Sequence, residues 1–321
     1  MRRLKYLIFL LMILMILLLK SPRQSSSDHK AAFRFTFVCP LTWENVATGI
    51  CDADEEFGTD TKLVGCSYLS PELQAKAIET AIYSNPDGII TAGIEDSEEL
   101  RDVLLKAQEK QIPVILVDSD LPDCGRICYI GTDNIEAGRI AGKDIYEATN
   151  GKAKIGVVCS TLSAVNQKER LEGFSEEIKR YPGLSIETVI ECESSRLLLN
   201  EKIPQMLEQY PQINAILCME GFSSDMVGNI LKQMGPSYCD IQIVSFDIVS
   251  PSLQYVQEGT YYSIIAQSPY EQGYLAVSTL VDYLKGKHID NILYTDVFSI
   301  KKQDLKDEVN IEYETHNWHI E

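Results

Sequence analysis

The sequence predicts an α/β fold made of two similar halves, each a doubly wound sheet of mainly parallel strands. Short apolar runs of strand length alternate with longer segments of helical period, which is the pattern of β-α-β units. This alternation occurs twice along the chain in the same order. The length of 321 residues corresponds to about two domains, and a hydrophobic fraction of 45% is enough to give each of them a core.

The chain begins with the features of an export signal. Basic residues precede about fourteen unbroken apolar residues, and Lys20 follows them. Because neither a small-x-small cleavage site nor a lipid-accepting Cys follows, residues 1–20 are expected to remain as a signal or anchor segment, although a spanning helix usually has roughly twenty apolar residues. Cleavage between Ser21 and Ser27, which would release the protein, is the alternative. The polar residues 21–32 are expected to form a linker.

The first half contains five strand candidates, and most precede a helical segment. They are Phe33–Val38, Lys62–Cys66, Gly88–Thr91, Pro113–Val117 and Cys128–Ile130. Ser70 followed by Pro71 predicts a helix start. Asp133 and Glu136 have the spacing of a capping box, which predicts a helix to about Thr149.

The second half repeats the plan with five further strand candidates. They are Lys154–Cys159, Ile186–Ile190, Ala215–Cys218, Ile241–Ser245 and Ser263–Ala266. A helix is predicted over 166–181, where Pro182 and Gly183 end it, and another from Ser250 to about Gly259.

Polar and aromatic side chains follow the predicted strands of both halves. They are Thr42–Glu44, Asp118–Asp120, Ser163–Lys168, Glu220–Phe222, Phe246–Asp247 and Gln267. Ligands of open α/β sheets bind at the carboxyl ends of the strands, so these residues are candidates for ligand contact. Carboxylates and amides suit a hydroxyl-rich ligand, and an indole packs on the apolar face of a sugar ring. The alternative is structural: an Asp after a strand often caps a helix, and Trp43 could belong to the core.

Composition and motifs argue against other classes of protein. The net charge of −18 disfavours nucleic acid as a partner. No nucleophile elbow or dinucleotide loop occurs, and the four His lie in the linker, a loop and the tail, so no enzyme, metal site or cofactor is expected. The segment Gly138–Asp144 is expected to serve helix packing rather than phosphate binding. Cys124 and Cys128 flank a turn and could form a local disulfide.

Four ordered strings resemble the ribose- and galactose-type periplasmic sugar-binding proteins. They are 130–142 (IGTDNIEAGRIAG), 168–174 (KERLEGF), 244–247 (VSFD) and 266–273 (AQSPYEQG). The resemblance covers about residues 33 to 300. It implies two Rossmann-like lobes joined by three crossing strands, with the ligand in a cleft between them. Lobe one would contain 33–131 and 267–291, lobe two 132–266 and 292–300, and residues 301–321 would form a tail.

By position in these strings, the resemblance implies ligand contacts at nine residues, which are Trp43, Glu44, Asp118, Ser119, Thr132, Lys168, Glu220, Asp247 and Gln267. Ser119 and Lys168 stand where this family usually has Arg, and Glu44 takes an aromatic position, so the identity of the ligand stays open.

The resemblance implies an extracytoplasmic protein that captures a small polar ligand, sugar or sugar-like, for an ABC permease. The alternative partner is a sensor kinase or chemoreceptor, with the N-terminal segment attaching the protein to the membrane. Lac-repressor-like transcription regulators share this core, but they carry a basic DNA-reading module where this chain has its apolar segment.

Overall fold

The computed structural model describes residues 31–40, 43–66 and 70–305. The predicted signal or anchor segment, all but the last two residues of the predicted linker, and residues 306–321 of the predicted tail lie outside these residues. Within the described part of the chain, no helix is both long and apolar enough to cross a membrane.

Twelve strands and nine α-helices alternate along the described residues. The strands are β1 (Arg34–Pro40), β2 (Asp60–Cys66), β3 (Gly88–Thr91), β4 (Val114–Val117), β5 (Cys128–Thr132), β6 (Ala153–Cys159), β7 (Leu184–Glu191), β8 (Ala215–Cys218), β9 (Gln242–Phe246), β10 (Ser263–Ala266), β11 (Ile292–Thr295) and β12 (Phe298–Lys301). The α-helices are α1 (Glu44–Phe57), α2 (Pro71–Tyr83), α3 (Glu98–Glu109), α4 (Asn134–Ala148), α5 (Val165–Ile178), α6 (Arg196–Gln209), α7 (Gly221–Met234), α8 (Ser252–Glu258) and α9 (Pro269–Leu284). Short 3-10 helices cover Pro236–Tyr238 and Lys302–Asp304.

The strands form two six-stranded sheets with matching topology. The first has the order β11-β5-β4-β3-β1-β2 and the second β12-β10-β9-β8-β6-β7. All neighbours are parallel except β10 and β12, which pair antiparallel. The chain passes between the sheets three times, after β5, after β10 and after β11. The predicted α/β fold of two lobes with three crossings is therefore confirmed.

Helices cover both faces of each sheet. Lobe one is built on the first sheet. Helices α1 and α9 pack on one face of this sheet, and α2 and α3 pack on the other. Lobe two is built on the second sheet. Helices α4 and α5 cover one face of this sheet, and α6, α7 and α8 cover the other. Strands enclosed in this way need apolar residues on both faces, which explains the unbroken apolar runs of the sequence.

Glycines allow the helix pairs α4–α5 and α1–α9 to approach closely. A Cβ atom on Gly138 would lie 2.1 Å from the carbonyl oxygen of Arg170. Gly49 and Gly273 make the same kind of approach between α1 and α9, where a Cβ would meet backbone oxygens at 2.0 and 2.1 Å. The expectation that the 138–144 segment serves packing is thus confirmed.

Local sequence signals predicted most elements closely. All ten predicted strands are present, with ends that differ by only a few residues. Asp133 caps α4 through a hydrogen bond of 2.9 Å from the Glu136 N–H to its Oδ1. Ser70 caps α2, and Gly259 ends α8 in the left-handed conformation.

The predicted domain boundaries need one correction near the end of the body. Residues 292–300 were expected in lobe two, but β11 pairs in parallel with β5 of the first sheet. Only β12 lies in the second sheet, where it runs antiparallel to β10. The last crossing therefore follows Thr295. Lys301, expected in the tail, is the last residue of β12.

The cysteines at 124 and 128 do not form a disulfide in this structure. Both are free and buried. Cys124 belongs to the cluster on the α2–α3 face of the first sheet, whereas Cys128 belongs to the cluster on the α1–α9 face. The two thiols are therefore buried in separate clusters on opposite sides of the sheet.

Candidate functional site

Asp118 and Asp247 occupy equivalent places in the two lobes. Asp118 follows β4 and Asp247 follows β9, and each strand is third in its sheet counted from β11 or β12. Both residues adopt left-handed backbone conformations, with φ of 64° and 68°, which Asp tolerates better than most residues. The Asp118 N–H donates to the Ile130 carbonyl at 3.2 Å and the Asp247 N–H to the Ile265 carbonyl at 3.1 Å. The repeated geometry puts a carboxylate at the same sheet edge in each lobe.

Asp118 is in direct contact with the other lobe. The Asn166 amide, at the start of α5, donates to Asp118 Oδ2 at 3.0 Å. Burial raises the pKa of Asp118 from 3.8 to about 6, while the Arg170 charge opposes the rise and the Asp247 charge adds to it. Two charged groups of lobe two, Arg170 and Asp247, therefore act on this carboxylate of lobe one. Asn166 belongs to the polar segment 163–168 after β6, which the sequence marks as a candidate for ligand contact.

Gln267 links Asp247 to the segments that cross between the lobes. Its Nε2 donates to Asp247 Oδ1. Its Oε1 accepts hydrogen bonds from Thr132 Oγ1 at 2.7 Å and from Arg170 Nη2 at 2.9 Å. Because Thr132 ends β5 and Gln267 follows β10, the amide connects the first two crossings to the carboxylate of lobe two.

Arg170 is the central residue that sequence reasoning missed. Its side chain is 2% exposed, and its Nε donates to Asn134 Oδ1 at 2.9 Å and its Nη1 to the Met219 carbonyl at 2.8 Å. The guanidinium stacks on the Phe246 ring, 4.5 Å from the centroid. The available signal was its place in the 168–174 string, two residues after Lys168.

Trp43 and Glu44 lie at the start of α1. The Trp43 side chain is partly buried and packs against the core cluster on the α1–α9 face of lobe one. Glu44 is exposed in the first turn of α1, where an acidic side chain interacts favourably with the helix dipole.

Ser119 is buried, whereas Lys168 is exposed to solvent. The Ser119 side chain is 1% exposed, and its hydroxyl has no hydrogen-bond partner within the described residues. Lys168 is exposed on α5. The pKa of Asp96 is lowered mainly by a hydrogen bond from Arg101, and the Lys168 charge lowers it further, so Lys168 lies near the loop before α3 of lobe one.

Glu220 has a structural task in this conformation. Its carboxylate accepts hydrogen bonds from the Phe222 N–H at 2.6 Å and the Ser223 N–H at 2.9 Å, so it caps α7. Burial raises the pKa of Glu220 while these bonds oppose the rise. Both carboxylate oxygens are occupied, in contrast to Asp118 and Asp247, each of which keeps one oxygen without a partner among the described residues.

The site offers acceptors and donors for a polar molecule. The free carboxylate oxygens of Asp118 and Asp247 can accept hydrogen bonds from hydroxyl groups, and such charge-assisted bonds are the stronger kind. Nowhere in the described residues do three or more His, Cys, Asp or Glu side chains form a group that could hold a metal ion.

Comparisons with known proteins indicate what this arrangement resembles. The family described as "Periplasmic binding protein domain" matches residues 40–288. The ribose import binding protein RbsB of Escherichia coli (strain K12) is 24% identical over 208 residues, 65% of this chain and 69% of that protein. The crystal structure of GanP, a glucose-galactose binding protein from Geobacillus stearothermophilus, is 30% identical with a TM-score of 0.82, covering 86% of this chain and 99% of GanP. A chain of the XylFII-LytSN complex is 28% identical with a TM-score of 0.78, covering 85% and 98%.

Proposed function

The chain belongs to the periplasmic binding protein domain family, and on that premise we propose that it captures a monosaccharide between its lobes for uptake by an ABC permease. The related proteins bind sugars, and the chain is a solute-binding protein rather than an enzyme. Family membership implies an extracytoplasmic location.

The observation that carries the proposal is the matched pair Asp118 and Asp247. The two carboxylates follow equivalent strands of the two lobes, and each keeps an oxygen for a ligand. A ligand between them would bind both lobes at once, which stabilises the closed arrangement by its preference for that state. The hydrogen bond from Asn166 to Asp118 supports a lobe separation small enough for such bridging.

A neutral sugar fits this site better than an anion. Two carboxylates repel a carboxylate or phosphate, whereas hydroxyl groups can donate to them. We propose Gln267 and Thr132 as further polar contacts near the crossings and Trp43 as a stacking face. Glu44, Ser119, Lys168 and Glu220 are proposed as additional contacts, the last through a carboxylate that also caps α7. GanP is a glucose-galactose binding protein and RbsB is a ribose import binding protein, which makes these three sugars the first to test.

The direct experiment is a thermal-shift screen of the full-length protein in detergent against D-ribose, D-xylose, D-arabinose, D-glucose and D-galactose. A bound sugar raises the apparent Tm by mass action, because it binds only the folded protein. Asp118→Ala with Asp247→Ala should abolish the shift, whereas Asp290→Ala, which alters an exposed carboxylate before β11, should keep it. The proposal fails if no sugar raises the Tm or if the double variant responds like the parent.

A second candidate function is sugar sensing. It is favoured by the similarity to a chain of the XylFII-LytSN complex, in which a protein of this fold is joined to a second protein. Disrupting the gene in its host separates the two functions. Loss of labelled sugar uptake indicates transport, while intact uptake with loss of the transcriptional response to the sugar indicates sensing.

We also propose that residues 1–20 anchor the protein in the membrane. The apolar run without a cleavage motif supports this. Full-length protein should remain with the membrane fraction, and deletion of 1–20 should release it. Mature protein that begins within 22–28 would show that the segment is cleaved.

A further inference from the structure

Arg170 is a buried cation without an ion pair. Within the described residues, no carboxylate oxygen lies within 4.0 Å of its nitrogens, and its donors go to the neutral oxygens of Asn134, Met219 and Gln267. Burying a charge is costly unless it is compensated. The compensating charges are Asp118, on whose pKa Arg170 acts electrostatically, and Asp247, which Gln267 joins to Arg170. The guanidinium is thus placed to compensate the negative charge of the two carboxylates of the candidate site.

The contacts of Gln267 allow only one orientation of its side-chain amide. Arg170 Nη2 can only donate, so it requires the oxygen of the amide on its side. The Asp247 carboxylate can only accept while ionised, so it requires the NH2 group on the other side. Reversing the amide would oppose donor to donor and acceptor to acceptor. Thr132 can serve either orientation, because a hydroxyl both donates and accepts.

The remaining contacts of Arg170 could serve the fold alone. Its bonds to Asn134 and Met219 join α5 to the start of α4 and the end of β8. If the role of Arg170 were purely structural, however, neither the ionisation of Asp118 nor the orientation of the Gln267 amide would depend on it. These two properties separate the alternatives.

We propose that Arg170 is a positioning residue of the sugar site, which orients the Gln267 amide toward Asp247 and provides the positive charge that balances Asp118 and Asp247. Only the statement that these carboxylates meet a sugar rests on the proposed function. The proposal itself concerns contacts of the unliganded protein, so it is tested without a ligand, and a failed sugar screen leaves its result interpretable.

The first test is a double-mutant cycle of Arg170→Gln and Asp118→Asn, with the Tm of the full-length protein in detergent measured at pH 4.5 and pH 8. In such a cycle, structural damage common to both Arg170→Gln variants cancels. At pH 8 we expect Asp118→Asn to raise the Tm more in the Arg170→Gln background than in the parent, by on the order of 2–4 °C, because the ionised Asp118 has lost its balancing charge. At pH 4.5, where Asp118 is protonated, the difference should disappear.

Arg139→Gln is the matched control. Arg139 is a surface residue of α4 that pairs with Glu136 and Glu176, so it should show no coupling to Asp118 at either pH. Absence of coupling between Arg170 and Asp118 at pH 8, or an equal coupling at both pH values, would overturn the proposal.

A second test does not require any Arg170 variant to fold. In Gln267→Glu, an oxygen replaces the NH2 group that faces Asp247, while the oxygen facing Arg170 is kept. We expect a lower Tm at pH 8 and recovery on adding Asp247→Asn, whose amide can donate to the introduced carboxylate. If Asp247→Asn lowers the Tm of the Gln267→Glu protein as much as that of the parent, the amide is not fixed between Arg170 and Asp247, and the proposal is wrong.

Discussion

Replacing Asp118 with Asn should make the unliganded protein more stable at neutral pH. Burial raises the pKa of Asp118 from 3.8 to about 6, so the folded protein holds a proton on this carboxylate more tightly than the unfolded chain does. The stabilising contribution of that protonated form is therefore complete below about pH 4 and is lost as the pH rises through about 6. Above pH 7 the ionised carboxylate remains as a cost to folding. Asn has a similar shape and no charge, and its carbonyl oxygen can still accept from Asn166.

The size of the effect follows from the pKa. One pKa unit corresponds to about 1.4 kcal/mol, so the rise sets an upper value of about 3 kcal/mol at pH 8. Part of the Asp118 side chain keeps contact with solvent, and water screens the charge, so we expect about 1–3 kcal/mol, or a Tm increase of roughly 2–10 °C.

The assay is thermal unfolding of the parent and Asp118→Asn proteins from pH 4.5 to pH 8, each in full length and without sugar. The gap in Tm between the two should be small at pH 4.5 and should widen up to about pH 7. The same substitution should weaken sugar binding, because an Asn presents a poorer acceptor to a hydroxyl. A gap in Tm that stays constant across this range would refute the reasoning, since the carboxylate would then have an ordinary pKa.

Three further predictions concern the site, the packing and the last crossing. Asp247→Ala should weaken binding of whichever sugar the screen identifies by about one to two decades in calorimetric titration while the protein stays folded; unchanged affinity would exclude this residue from the site. Gly138→Ala should destabilise the protein by about 1–3 kcal/mol in urea unfolding, because its Cβ would lie 2.1 Å from the Arg170 carbonyl oxygen; wild-type stability would show that α4 and α5 can separate at little cost. Asp144→Ala removes the buried carboxylate that pairs with Lys301 at 2.9 Å and should speed amide hydrogen exchange in β12; unchanged exchange would mean that backbone pairing alone holds this strand.

The alternation of elements was predictable because its signals are local. Apolar runs mark buried strands, and caps such as Asp133 mark helix starts within a few residues of sequence. The positions of Asp118 and Asp247 followed from the same pattern, since each comes directly after such a run. What the pattern could not provide was their equivalence, which depends on the strand order of the two sheets.

The missed features depend on contacts between distant parts of the chain. The strand β11 has an apolar sequence, but it is only four residues long and half exposed at a sheet edge, so nothing in these residues indicates which of the two sheets they join. Arg170 resembles any helical arginine in sequence, and only the fold reveals that it is enclosed among Asn134, Met219 and Gln267. For Glu220, ligand contact and helix capping both suited the sequence, and the structure shows the capping bonds.

The most direct test of the central claim is a crystal structure of the protein with the sugar that gives the largest thermal shift. The account predicts one sugar between the lobes, with its hydroxyl groups within about 2.5–3.2 Å of the free oxygens of both Asp118 and Asp247. A sugar bound elsewhere, or bound in the cleft without contact to either carboxylate, would contradict it.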